Sequence, residues 1–159
     1  MYARDHALIA TPIGAIRVEG DDAALTTIRI GGEGVPTPGS AAAVRRAAEQ
    51  LAEWFAKERE TFDLPLAPTG TPRGAALRAG LIAVGYGETL SYGALARLLG
   101  SSPRAIGQLC ARNPFPIVVP CHRVLGEGGR LGHFSGGDGP KTKSWLLEHE
   151  RRHSEGSLL

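Results

Sequence analysis

The order of apolar and polar side chains predicts a small sheet in the first third of the chain. Residues 15–19 and 25–30 alternate between apolar and polar, and residues 7–10 form a short apolar segment before them. Turn-forming residues separate the three segments. Alternation with a period of two is typical of strands with one buried face, so we predict an antiparallel meander. Residues 62–66 are a candidate edge strand.

The spacing then becomes helical. Apolar residues recur every three or four positions over 44–55, and Ser40 is placed to cap this helix. Prolines and glycines at 65–72 interrupt the pattern, and we place the domain boundary there, between domains 1–68 and 69–159. Helices are predicted in the second domain at 74–84, 92–99, 103–112 and 143–152.

Two of these helices, with Ser91 and Ser102 as caps, are joined by a short glycine-containing turn and resemble a helix-turn-helix. The second of them carries small residues except at Arg104, Gln108 and Arg112, so it can approach a duplex closely. An ordinary helical hairpin remains the alternative. The glycine-rich segment 126–137 permits either close approach to a ligand or a flexible loop.

Composition and charge restrict the class of protein. Hydrophobic residues make up 42% of the 159 and charged residues 21%, as in soluble globular proteins. With two cysteines, no apolar run of ~20 residues and no signal-peptide pattern at the start, we expect a cytoplasmic protein. The first domain has 7 Lys and Arg against 10 Asp and Glu, a net charge of −3, and the second has 11 against 6, a net charge of +5. Only the second domain is expected to face a polyanion.

The most informative segment is 113–124, which contains Cys121 and His122. Residues 117–119 favour a buried strand that ends at Pro120, so Cys121 is expected at a strand end. It is either a small buried apolar residue or a nucleophile. His122 can accept the thiol proton and a C-terminal glutamate can orient it, provided that the chain turns after Pro120 or a water intervenes. Such a relay suits hydrolysis, redox chemistry or group transfer.

The sequence Pro-Cys-His-Arg-Val at 120–124 resembles the active-site motif of the 6-O-alkylguanine-DNA alkyltransferases, also called methylated-DNA–protein-cysteine methyltransferases. Further motifs occur in the family's order, at 87–93, 104–107, 111–114, 134–137 and 145–150. The resemblance implies an α+β protein, with a ribonuclease H-like first domain and a mainly helical, winged-helix-like second domain that contains the helix-turn-helix.

The resemblance also implies roles for individual residues. Cys121 takes the alkyl group from the 6-oxygen of guanine irreversibly, in a single turnover after base flipping, and the 4-oxygen of thymine is a second candidate position. His122 takes the thiol proton through a water and Glu150 orients His122. Asn113 ties the recognition helix to the active-site segment. The residues implied to contact the base or DNA are Tyr92, Arg104, Ala105, Gly107, Arg112, Val124 through its carbonyl, and Ser135.

Some positions depart from the family pattern. Arg73 stands where an aromatic residue is usual and Arg78 where a Trp is usual, Phe134 replaces a frequent Tyr, and Cys110 is interpreted as a packing residue. The ligands of the zinc site found in some relatives are absent from the first domain, so we expect neither a metal nor a cofactor. We expect a monomer that binds double-stranded DNA containing alkylated guanine, without a membrane or an obligate protein partner.

Other classes remain as alternatives. A non-catalytic binder of alkylated DNA, of the alkyltransferase-like type, is the main one, but that group replaces the cysteine, often with Trp, so Cys121 argues against it. A cysteine hydrolase lacks a second oxyanion motif here, and a transcriptional sensor would need a further regulatory domain.

Overall fold

The computed structural model describes residues 4–132, 134 and 136–156. The chain divides into two compact units, Met1–Ala67 and Pro68–Leu159. An antiparallel sheet lies in the first unit and most helices lie in the second, so the α+β class is confirmed. No helix within the described residues is both long and apolar enough to cross a bilayer.

From residue 4 onward, the first unit contains the three predicted strands and one helix. Strands β1 (Asp5–Thr11), β2 (Gly14–Gly20) and β3 (Leu25–Ile30) pair antiparallel in that order, and α1 (Ala42–Phe55) follows. Apolar residues of the sheet and of α1 are buried and form the core of this unit: Ala7, Ile16, Val18, Leu25, Ile28, Val44, Ala47, Leu51 and Trp54.

The start of α1 differs from the prediction that Ser40 caps it. The cap residue is Ala41, whose side chain accepts no hydrogen bond. Instead, Asp5 Oδ2 accepts a hydrogen bond from the Ala41 amide at 2.7 Å, and Asp22 Oδ1 accepts one from the Ala42 amide at 2.7 Å. Carboxylates from β1 and from the β2–β3 turn satisfy amides at the start of the helix, a tertiary arrangement that local sequence does not reveal.

The edge strand predicted at 62–66 is reduced to one bridge. Leu25 donates its amide to Pro65 O and accepts from Ala67 N, both at 2.8 Å, and Leu66 lies opposite in a parallel bridge. Because Pro65 has no backbone donor, a longer ladder is disfavoured at this point.

The described residues of the second unit form four α-helices: α2 (Pro72–Ile82), α3 (Tyr92–Leu99), α4 (Pro103–Ala111) and α5 (Pro140–Gly156). The two-residue strands β4 (Leu90–Ser91) and β5 (Val124–Leu125) pair in parallel. Helices α2 and α5 begin two and three residues before their predicted starts. The turn between α3 and α4 contains Gly100 in the left-handed conformation, with φ of 61°.

Both predicted serine caps of the helix-turn-helix are present. Ser91 Oγ accepts a hydrogen bond from Ala94 N at 3.0 Å, and Ser102 Oγ accepts one from Ala105 N at 3.1 Å. Each satisfies an amide that the first helical turn leaves without an intrahelical partner.

The strand predicted at 117–119 is absent; this segment is a buried turn. Val119 N donates to Phe115 O at 2.8 Å, and Ile117 has a φ of 74°, an unfavourable conformation for a β-branched residue. Pro116 and Pro120 flank the turn and lack amide donors, which opposes strand pairing. The β-branched side chains are buried as predicted, but by a compact turn and not by a sheet.

Candidate active site around Cys121

A sharp turn of the backbone places Cys121 at the start of a short 3-10 helix, Cys121–Arg123. Pro120 has φ of −80° and ψ of 63°, and Cys121 N donates to Val119 O at 2.8 Å across it, which is an inverse γ-turn. The turn after Pro120 that a Cys121–His122 relay requires is therefore present. Cys121, His122 and Arg123 are all buried.

Glu150, from α5, holds His122 in a defined orientation. Its Oε2 lies 2.8 Å from His122 Nε2, and both side chains are almost fully buried. Because an ionised carboxylate only accepts hydrogen bonds, Nε2 carries the ring hydrogen and Nδ1 carries the lone pair. The imidazole can therefore accept a proton at Nδ1.

Arg123 is a component of the site that the sequence analysis missed. Its Nε donates to Glu150 Oε1 at 3.0 Å, its Nη2 donates to Oε2 at 2.7 Å, and its Nη1 donates to Val84 O at 2.6 Å. Gly87 N lies 3.4 Å from Oε1. The only signal in the sequence was the place of Arg123 inside the motif, because its partners are distant in the chain.

The pKa values in this cluster favour a neutral base beside an ionised carboxylate. Burial lowers the pKa of His122 although Glu150 opposes the shift, so the imidazole is neutral at pH 7. Burial by itself would raise the pKa of Glu150, but His122 and Arg123 bring it down to about 2. The cluster can accept a proton at His122 without protonating Glu150.

Lys143 is the second component that the sequence analysis missed. This lysine of α5 is fully buried, and its Nζ donates to Val124 O at 2.7 Å and to Leu131 O. Burial lowers its pKa, opposed by the two cysteines nearby. Lys143, Leu146 and Glu150 share one face of α5, so helical spacing could have placed Lys143 in the interior.

Burial raises the pKa of the Cys121 thiol, and two neighbours oppose this shift. The polar side chain of Asn113 and the charge of Lys143 both favour the thiolate. Asn113 also donates from Nδ2 to Val119 O at 2.8 Å and accepts from Phe115 N at 2.9 Å. It thus connects the end of α4 to the turn before Cys121, as the resemblance implies.

Three of the implied DNA-binding residues line one cleft of about 460 Å³: Tyr92, Arg104 and Gly107. Cys110 lies in the wall of this cleft, and burial raises its pKa to about 12, so it remains a thiol.

Ala105 and Arg112 face a different cleft, next to Asn113. The Val124 carbonyl accepts a hydrogen bond from Lys143 Nζ at 2.7 Å.

Ser135 lies outside the described residues, so its implied role has no structural counterpart here. Phe134, beside it, is buried. Within the described residues, no group of three or more His, Cys, Asp or Glu side chains is arranged to hold a metal ion.

The similarity of this chain to known proteins covers residues of both units. Residues 75–152 match the family model described as "6-O-methylguanine DNA methyltransferase, DNA binding domain". A methylated-DNA–protein-cysteine methyltransferase of Methanosarcina acetivorans is 38% identical over 154 residues, 91% of this chain and 97% of that protein. A DNA base-flipping protein of Thermus thermophilus is 48% identical over 107 residues, 66% of this chain and 71% of that protein. The crystal structure of Mycobacterium tuberculosis OGT in complex with DNA matches with a TM-score of 0.79 and 34% identity, covering 93% of each chain.

Proposed function

The chain belongs to the methylated-DNA–protein-cysteine methyltransferase family, and from this premise we propose that Cys121 accepts the alkyl group in a single turnover. The protein repairs DNA by direct transfer of an alkyl group from the 6-oxygen of guanine to a cysteine of its own chain. The observation that carries the proposal is the buried arrangement of Cys121, His122, Arg123 and Glu150. The 4-oxygen of thymine is a second candidate substrate position.

Transfer begins when the thiol loses its proton. His122 Nδ1 takes it through a water, and Glu150, kept ionised by Arg123, stabilises the resulting imidazolium. The sulfur then forms a bond to the alkyl carbon while the bond from that carbon to the guanine 6-oxygen breaks. The proton returns to the departing guanine, which leaves as a neutral base. Because the thioether at Cys121 is stable, each molecule reacts once.

The cleft of Tyr92, Arg104 and Gly107 supports base flipping as the route of the base to Cys121. Arg104 is exposed at the first turn of α4, where it can fill the space that a flipped base vacates. Tyr92 and the Val124 carbonyl are proposed to bind the base, together with Ser135. A flipped base costs a few kcal/mol to unstack, and less when damage weakens its pairing.

All of these residues lie in Pro68–Leu159, so we assign DNA binding and catalysis to that unit and a structural role to Met1–Ala67. We further propose that the protein acts on DNA as a monomer. A cytoplasmic location is consistent with its two cysteines, neither of which forms a disulfide.

Mass spectrometry tests the proposal. The protein is mixed with duplex DNA that contains one 6-O-methylguanine. It is then digested with a protease, and the masses of its peptides are measured. We expect one methyl group per protein molecule, on the peptide of Cys121, in equal number to the repaired bases. Repeated turnover would contradict the single-use mechanism. Tight binding with no mass change would favour the alkyltransferase-like alternative, which the similarity to a DNA base-flipping protein keeps in view.

Substitution of Gly107 separates DNA approach from folding. A Cβ placed on Gly107 has no atom within 4 Å, so the fold tolerates alanine, and removal of a helical glycine stabilises by about 0.5–1 kcal/mol. We expect Gly107→Ala to unfold at a slightly higher temperature. Its repair of duplex DNA should nevertheless slow about tenfold, because one added methyl group obstructs the close contact. Transfer from free 6-O-benzylguanine should fall much less; an equal loss would show that Gly107 acts on the reaction and not on the duplex.

A further inference from the structure

A second cleft, of about 570 Å³, borders a neighbouring face of α4. We call it the arginine cleft and define it by Arg73, Arg78, Gln108 and Arg112, which line it together with Thr69 and Asn113. Along α4, Arg104 and Gly107 face the first cleft, whereas Gln108 and Arg112 face the arginine cleft. The same helix therefore presents two faces to two different spaces.

The charged side chains that line this cleft are all positive. Three of its lining side chains are guanidinium groups, and none of the described residues that line it is an Asp or Glu. Guanidinium groups keep their charge in proteins and match the oxygens of phosphates with paired N–H donors. A cavity with three such groups favours an anion.

Two of the arginines are held in place by the protein. Arg73 Nη2 donates to Gly100 O at 3.1 Å, at the turn of the helix-turn-helix. The guanidinium of Arg78 lies over the Phe115 ring, 5.3 Å from its centroid. Ordered donors lose less conformational entropy when they bind a ligand than mobile surface arginines do.

The start of α2 adds to the same preference. This helix of 11 residues begins at Pro72, and Thr71, which caps it, lines the arginine cleft. The N-terminal end of a helix carries a partial positive charge. The helix end and the three arginines thus both favour an anion in this cleft.

We propose that the arginine cleft binds a phosphodiester group of the DNA backbone, beside the nucleotide whose base enters the first cleft. This inference rests on the proposed function, because it assumes that α4 lies against DNA. A helix seated in a groove has sugar–phosphate chains along its sides, and the face with Gln108 and Arg112 is the one next to this cleft.

The test measures binding of duplex DNA by the full chain at several salt concentrations. Each phosphate neutralised by a cation contributes about 0.9 to the slope of log K against log salt. We expect Arg112→Ala and Arg78→Met each to weaken binding and to lower this slope by about one. The matched control is Arg29→Ala, an exposed arginine on β3, which removes the same charge. An equal loss of slope in Arg29→Ala would overturn the proposal, because it would indicate an effect of net charge alone.

A second measurement locates the phosphate. Duplexes are prepared in which a single linkage is an uncharged methylphosphonate, moved one position at a time. The unaltered protein should bind one of these duplexes more weakly, and the Arg112→Ala protein should be insensitive to that same linkage. An identical profile for both proteins would overturn the proposal. Arg112 is exposed at the end of α4, so this variant is informative even if Arg78→Met fails to fold. Methyl transfer by the unaltered protein tests the proposed function separately.

Discussion

A Cys121→Ser variant is expected to bind duplex DNA containing 6-O-methylguanine and to remove no detectable methyl group. A serine hydroxyl is far less acidic than a thiol, and the neutral imidazole of His122 cannot ionise it. Burial opposes ionisation at this position even for a thiol, although Asn113 and Lys143 counter part of this effect. Binding is measured by fluorescence anisotropy and transfer by loss of the labelled methyl group from DNA.

The matched control for this loss is Cys110→Ser, since Cys110 is the other cysteine of the chain. Burial raises the pKa of Cys110 to about 12, which disfavours its thiolate, so methyl transfer should persist in this variant. Methylation of the Cys110 peptide in the Cys121→Ser protein would show that the acceptor had been assigned to the wrong residue.

An Arg123→Leu variant is expected to lose about 3–5 kcal/mol of unfolding free energy, because a buried ion pair would be left with one partner. The substitution removes the guanidinium contacts to Glu150 and the donor to Val84 O while the carboxylate stays buried. Without Arg123, the pKa of Glu150 should rise, and His122 should be oriented less firmly. Urea denaturation measures the stability, and the methyl-transfer rate should fall with it.

The control is an Arg–Glu pair at the surface, whose two residues both lie on α5. Arg151 contacts Glu148, and both side chains are largely exposed. Arg151→Leu should change the unfolding free energy far less, since solvent screens an exposed pair. Similar losses in the two variants would contradict a special role for the buried cluster. Arg123→Lys, which retains the charge but not the paired donors, should fall between Arg123→Leu and the unaltered protein.

Features that depend on neighbours in the sequence could be predicted. A short apolar segment located β1, alternation located β2 and β3, and the serines before α3 and α4 marked both caps. The family and the α+β class are confirmed. Residues 117–119 failed as a strand because the flanking prolines and tertiary burial outweigh β propensity. Ser40 failed as a cap because the helix begins one residue later than predicted, and Asp5 and Asp22 accept from the amides at its start.

Some residues of the site could likewise be predicted from the sequence, and others could not. The motif around Cys121 brought His122 and Glu150 to attention, and the structure places those two side chains 2.8 Å apart. Arg123 and Lys143 were missed because a charged residue is ordinarily assigned to the surface. Their burial depends on acceptors at Val84, Glu150 and Val124, which no local pattern connects to them.

The contacts of Glu150 also bear on when the nucleophile becomes competent during synthesis. His122 precedes Glu150 by 28 residues, and Gly87 precedes it by 63. A ribosome-bound chain that has emerged as far as Cys121 therefore carries a cysteine whose neighbouring imidazole lacks its carboxylate. The thiol gains an oriented base only after α5 has docked against the 3-10 turn. Reactivity of Cys121 thus reports completed tertiary folding, so labelling by free 6-O-benzylguanine can serve as a probe of the last step in folding.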